Sequence, residues 1–185
     1  MKGCEFFMTL KKVKFISTIS IFSLCFLFHF LYQWFPNSLF AIIFPVNESI
    51  WEHMKLLFSG ICLYGIIDYF ILVKNKIKFN NFFLNLFITS ITSIPIYLII
   101  FLPIYKFIGE NIIISITLMF IVILISQIIS YFILSKKSYK ILNYISFILI
   151  IISYIIFGYL TYNPIHNYLF LDNSKNIYGI NHYKI

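Results

Sequence analysis

The chain reads as an all-α integral membrane helical bundle of about five transmembrane helices, and three features carry that reading. First, 61% of its 185 residues are hydrophobic and only 11% are charged. Soluble domains are about half apolar and about a quarter charged, so a chain this apolar cannot clothe its surface with polar groups in water. Second, the apolar residues gather in blocks of roughly 20 or more, the length a helix needs to cross the hydrocarbon core. Third, lysines collect in every other connection between those blocks, the pattern that orients membrane proteins. Mean hydropathy, at +0.94, agrees.

The first block, residues 13–35, is too long for a signal-peptide core and lacks a small-residue cleavage site, so it reads as a retained span. Cys25, His29 and Gln33 share one face at i, i+4, i+8. Tyr32 and Trp34 suit an aromatic belt, and Pro36 with Asn37 ends the helix. Residues 38–44 are apolar but too short to span, which predicts an interfacial or re-entrant piece stopped by Pro45. The second span covers residues 50–73. The third covers 82–107 and holds Pro95 and Pro103, which should kink it and free carbonyls that neighbours such as Thr92 can satisfy. The fourth covers 112–134 and the fifth 141–162. A polar tail, 163–185, closes what reads as a single transmembrane domain over 1–185.

The connections set the orientation. Lys11, Lys12 and Lys14 precede the first span, Lys74, Lys76 and Lys78 join the second to the third, and Lys136, Lys137 and Lys140 join the fourth to the fifth. The remaining connections are mixed in charge, with Glu48, Glu52 and Lys55 on one and Lys106 and Glu110 on the other. The positive-inside rule then places the N-terminus in the cytoplasm and the tail outside. There is no convincing internal repeat, and an odd number of spans argues against an inverted-repeat transporter within one chain.

Several classes are disfavoured. The net charge of +8 comes from lysine alone, spread in short runs, whereas nucleic-acid binding wants a clustered basic face, often with arginine. The abundance of Ile, Lys, Asn, Phe and Tyr fits an AT-rich bacterial genome. Cys4, Cys25 and Cys62 are odd in number and lack CxxC spacing, so neither a disulfide framework nor a thiol cofactor is supported. No apolar run precedes Cys4, so the start is not a lipoprotein box, and either Met1 or Met8 serves as the start.

One stretch stands out. From Pro45 to Lys55 two acids, a histidine and a lysine fall within eight positions of an otherwise apolar chain. Ser49 and Glu52 match the S-x-x-E capping box, acids in a first turn suit the helix macrodipole, Trp51 suits the belt, and Lys55 can snorkel. On a helix Glu48, Glu52, Lys55, Ser59 and Cys62 form one stripe, with His53 on another side near Gly60 and Tyr64. The chemical reading is a carboxylate–imidazole site at the outer interface. Glu48, Glu52, His53 and His29 are its catalytic candidates, and Asn47, Trp51, Lys55, His166 and Asp172 its binding candidates. Neither H-E-x-x-H nor H-x-x-E-H is present, so metal and cofactor stay open.

The string from Pro45 to Leu56 resembles the signature of a family of small bacterial multi-spanning membrane proteins, domain of unknown function 6512. His29 and Trp34 before it, and Pro164, His166, Leu169, Phe170, Asp172, Tyr178, Gly179 and Ile180 after it, extend the resemblance along most of the chain. Asn163 to His166 departs from the more proline-rich stretch expected there. The resemblance implies kinship and a membrane location without an activity.

Other polar residues have simpler expected uses. The tail either folds back as a lid, bringing His166 or Asp172 near Glu48 and Glu52, or remains an ordinary solvated tail. Asp68, about four turns below Glu52, is expected to reach the inner interface with its carboxylate. Asn85, Thr89 and Ser93, and Gln127 with Ser130, form stripes suited to hydrogen bonds between helices. The Asn47-Glu48-Ser49 sequon carries no weight in a bacterial chain. The expected function is a binding or interaction role at the outer face of the plasma membrane, with the lipid bilayer and either a membrane-protein partner or a second copy as neighbours. Alternatives are a membrane-embedded hydrolase using Glu48 or Glu52 with histidine, and a proton-coupled carrier linking the outer cluster to Asp68.

Overall fold

Uninterrupted runs of Leu, Ile and Phe, started by short polar residues, produce long helices. In this computed structural model, which describes residues 8–109 and 111–180, they are α1 (Leu10–Trp34), the short α2 (Ser38–Ile43), α3 (Ile50–Lys74), α4 (Phe82–Ile108), α5 (Ile112–Ser135) and α6 (Lys140–Tyr162). Cys4, Glu110, the choice of start and the last five tail residues lie outside the described part. Thr9, Asn37, Ser49 and Asn111 cap α1, α2, α3 and α5 by accepting a backbone N–H in the first turn, which satisfies donors the helix itself leaves open. The protein is all-α, and among the described residues five helices are long and apolar enough to cross a membrane. Their bounds fall within a few residues of the expected ones.

The five long helices are not equivalent. In the most apolar window of α3 61% of residues are buried, against 17–28% in the other four. α3 is therefore the central helix, with α1 and α4 packed on it, while α6 turns Ile148, Ile151, Ile152 and Ile155 outward. Such an exposed apolar flank is what lipid rather than water would cover.

Two ends can be told apart by their contacts. At the lysine-rich end the Asn81 amide donates to the carbonyls of Ile133 and Lys137, and its oxygen accepts the N–H of Tyr139. One side chain thus ties the α3–α4 connection to the α5–α6 connection. Asn81 has φ +57°, a left-handed conformation that asparagine tolerates better than most residues. The opposite end carries α2 and the tail, where Leu171–Asp172 (β1) pairs antiparallel with Ile177–Tyr178 (β2) in register Leu171↔Tyr178 and Asp172↔Ile177.

Three local expectations are corrected. Asp68 is enclosed rather than turned outward: it is buried and ion-paired at 2.6 Å with Lys14, and its other oxygen accepts the Ser17 hydroxyl at 2.6 Å. Burying an acid requires a partner, and α1 supplies both. The Thr92 hydroxyl donates to Ile88 O and Thr89 O, whereas the carbonyl opposite Pro95 is that of Ile91. Thr89 and Ser93 donate to carbonyls of their own helix rather than across to another. A hydroxyl finds the i−4 or i−3 carbonyl without any neighbouring helix. Gln127 does bridge helices, accepting from Lys14 at 3.4 Å.

Candidate functional site

The polar stretch before and within the first turns of α3 splits across two faces. Asn47 starts the split: its side-chain oxygen accepts the Ser49 N–H at 2.9 Å, a tight local turn that sets the backbone just before the cap. Ser49 then accepts the N–H of Glu52 at 3.4 Å. Glu48 precedes the cap, so helical spacing does not govern its direction, and it leaves the stripe expected for it with Glu52, Lys55 and Ser59.

Glu52, Lys55 and Ser59 face α2 and α6 and are fully enclosed. Glu52 pairs with Lys55 at 2.5 Å, with both side chains at most 1% exposed. The Lys55 ammonium also donates to Ala41 O at 2.7 Å and to the Thr161 hydroxyl at 2.9 Å, so all three of its donors are used. One Glu52 oxygen accepts the Val46 N–H and the other accepts the Thr161 hydroxyl. Ser59 donates to Ile43 O. The capping box is therefore half made, because Glu52 reaches back to Val46 rather than to Ser49. Lys55 does not snorkel, since a carbonyl, a hydroxyl and a carboxylate wait for it inside. The group fastens α2 and the end of α6 to α3.

His53, one residue beyond Glu52 and about 100° round the helix, faces the other way, toward α1. Its ring stacks on that of His29 with centroids 5.6 Å apart and planes 20° apart. Glu48 lies against both: one carboxylate oxygen is 3.3 Å from His29 Nε2, the other 3.6 Å from His53 Nε2. The donor atoms of the three side chains all lie within 4.8 Å of one another. His53 Nδ1 is 3.0 Å from Ser49 O. A carbonyl only accepts, so the proton sits on Nδ1 and Nε2 is turned to Glu48.

These three residues form the polar pole of a cavity of about 280 Å³, near the lower end of the roughly 300–1,000 Å³ usual for small-molecule sites. Its walls are mainly apolar: Leu56 and Leu57 from α3, Tyr97 and Phe101 from α4, and Met119 from α5. Phe26, Phe30 and Ile112 line it while remaining exposed, so its mouth is apolar. Cys25, one turn before His29, is buried and free and lines it too. Glu52 and Lys55 are not among the lining residues.

The tail hairpin closes the top. Asp172 is fully buried; one oxygen accepts the N–H groups of Ser174 and Lys175 and the Ser174 hydroxyl, and the other accepts the Glu48 N–H at 3.1 Å. The Asn47 amide donates to Gly179 O and the Trp51 N–H to Leu169 O. The Trp51 ring stacks on Phe170 at 4.7 Å. Leu171, Asp172, Asn173 and Ser174 therefore line the cavity. His166 does not approach it; exposed, it packs on Tyr178. Gly179 has φ +58°, and a Cβ there would lie 2.5 Å from Thr161 O and 2.9 Å from the Pro164 ring, which leaves glycine alone at that close approach.

The electrostatics of the two acids outside the helices differ in cause. The hydrogen bond from His29 holds the Glu48 carboxyl below the usual range, helped by the nearby imidazoles and opposed by partial burial and by Asp172. Burial pushes Asp172 up, but its bonds from Ser174, the Glu48 N–H and Lys175 outweigh this and leave it lowered. Glu48 is thus an ionised carboxylate held between two imidazoles, with its side chain 32% exposed at a cavity. That arrangement can bind a cation, exchange a proton or polarise water.

Residues that sequence reasoning did not single out are Tyr97, Phe101, Ser115 and Met119 in the walls, and Thr161 as a partner of Glu52 and Lys55. Tyr97 and Ser115 offered a faint signal, as polar groups in the halves of their spans that lie nearest the charged stretch. Phe101 and Met119 offered none, since apolar residues in apolar helices are uninformative.

The chain matches the family described as "Family of unknown function (DUF6512)" over residues 3–180 and belongs to it. No curated protein and no solved structure matches.

Proposed function

We propose that this member of the DUF6512 family is a five-span protein of a bacterial plasma membrane that binds a small amphipathic molecule in its outer-facing cavity. The observation that carries the reading is the cavity itself: mainly apolar walls and an apolar mouth, with a charged pole made by His29, Glu48 and His53 beneath the polar hairpin residues Asp172, Asn173 and Ser174. A ligand with one polar group and an apolar body satisfies both parts at once, as such sites usually require. The lysine-rich connections support placing the cavity at the outer side, where the outer leaflet supplies amphiphiles.

The test uses purified protein in detergent and a single-chain fluorescent amphiphile. The wild type is expected to bind it saturably, and Met119→Trp, which fills the cavity, is expected to abolish binding while leaving the helical content unchanged. Equal binding by wild type and Met119→Trp would sink the reading. Orientation is tested by labelling a cysteine placed at the exposed Tyr168. A label that reaches it only from the cytoplasm would overturn the outward placement.

A second reading is favoured by one contact. Glu48 faces the cavity while touching two imidazole nitrogens, which suits a general base for hydrolysis of a bound ester or amide. Glu52 has no such position. The carrier reading needs Asp68 to change protonation, and Lys14 and Ser17 already occupy both of its oxygens.

A further inference from the structure

We propose that His29 Nε2, His53 Nε2 and the Glu48 carboxylate form a zinc site whose fourth position opens into the cavity. The proposal uses the polar pole of the cavity discussed above and stands without any organic ligand there.

The distances support it. Zinc bonds of about 2.0–2.1 Å to nitrogen and oxygen place tetrahedral ligand atoms about 3.3 Å apart. Glu48 lies 3.3 Å from His29 and 3.6 Å from His53. The two histidine nitrogens lie within 4.8 Å of each other and would have to close toward that spacing on binding. Two histidines and one glutamate, with one position left for water or substrate, are a donor set of catalytic zinc sites.

The protonation pattern gives a second, independent support. Because Ser49 O takes the Nδ1 proton of His53, a neutral ring turns a lone pair toward the Glu48 carboxylate, another acceptor. A cation placed between the two acceptors would be held by both. A backbone carbonyl on the far nitrogen is also the usual support of a metal-bound histidine. The backbone of Glu48 is fixed too, because its N–H is bonded to the buried Asp172. Lys55, the nearest lysine in the sequence, is committed to Glu52, Ala41 and Thr161 on the other face and does not supply that cation.

A proton is the competing cation, and the experiment separates the two. Full-length protein is stripped with a chelator in detergent, then titrated with Co²⁺ and with Zn²⁺. One equivalent of Co²⁺ is expected to give the visible absorption of a tetrahedral N/O site, and Zn²⁺ to displace it. His29→Ala, His53→Ala and Glu48→Gln are each expected to weaken binding at least tenfold, while Cys62→Ala, whose thiol is buried among Phe58 and Phe157, leaves it unchanged. X-ray absorption of the zinc-loaded wild type, which needs no variant to fold, is expected to show two imidazoles at about 2.0–2.1 Å. Absence of stoichiometric metal, or a spectrum without two imidazoles, overturns the proposal. The fluorescent amphiphile measured on the stripped protein keeps the two readings apart: binding there with no metal site defeats only the zinc inference, and metal without amphiphile binding defeats only the cavity reading.

Discussion

Glu52 and His53 are adjacent in sequence and belong to regions with opposite character. On one face of α3, Glu52 and Lys55 are sealed, and each of their polar atoms has a partner within the protein. On the other, Glu48, His29 and His53 are between a fifth and about a third exposed and point their remaining valences at a cavity. The first group has spent its hydrogen-bonding capacity on holding α2, α3 and α6 together. The second has kept some in reserve. Charge in an apolar chain is thus not by itself a sign of a site; an incompletely satisfied charge beside a void is.

The sharpest way to break this contrast is to disturb the sealed face. Lys55→Met leaves Glu52 buried without its cation, and such a loss costs about 3–5 kcal/mol, so the variant is expected to melt far below wild type in detergent. Glu52→Leu together with Lys55→Met should recover most of that loss, because replacing a whole buried pair is often close to neutral. If the single variant melts like wild type, the sealed face is not a clamp.

A smaller effect is expected where the two regions meet the tail. Gly179→Ala forces a side chain into a left-handed backbone and against Thr161 and Pro164, a strain of roughly 1–3 kcal/mol. It should free the hairpin, speeding proteolytic cleavage after Lys175 while leaving the melting of the helices nearly unaltered. Unchanged cleavage would mean that the tail is held by other contacts.

On the open face, Glu48→Gln keeps the shape and removes the charge. Its stability change is expected to stay near 1 kcal/mol, the scale of one hydrogen bond, while amphiphile binding falls at least tenfold. A large drop in melting temperature would move Glu48 to the structural side of the comparison.

The smallest effect is the response to acid. Glu48 and Asp172 are held below their ordinary values of 4.5 and 3.8. Groups depressed on folding stabilise the protein above those values, and that contribution is lost as pH falls through the lower folded ones. Trp51 fluorescence in a Trp34→Phe background, which reports stacking on Phe170, should therefore be flat from neutral pH to about pH 4.5 and change below it. A change well above pH 4.5 would show that these two acids do not govern the stacking.

The helices were legible because bilayer length, apolar composition and lysine placement act on whole segments, and each segment carries its own signal. The short α2 and the Ser49 cap were legible for the same local reason. Family membership was also legible, through the string around Glu48. The partners were not. Lys14 meets Asp68 across 54 positions and Lys55 meets Thr161 across 106, and periodicity on one helix says nothing of what stands opposite it. Helical phase grouped Glu48 with Glu52 and Lys55, although Glu48 precedes the cap, where the turn made by Asn47 and the bond to Asp172 decide its direction. By itself, then, the sequence determined a membrane bundle and a charged helix start. Which of those charges are buried in mutual satisfaction and which face a cavity was decided only by tertiary packing, because satisfaction depends on atoms brought from distant parts of the chain.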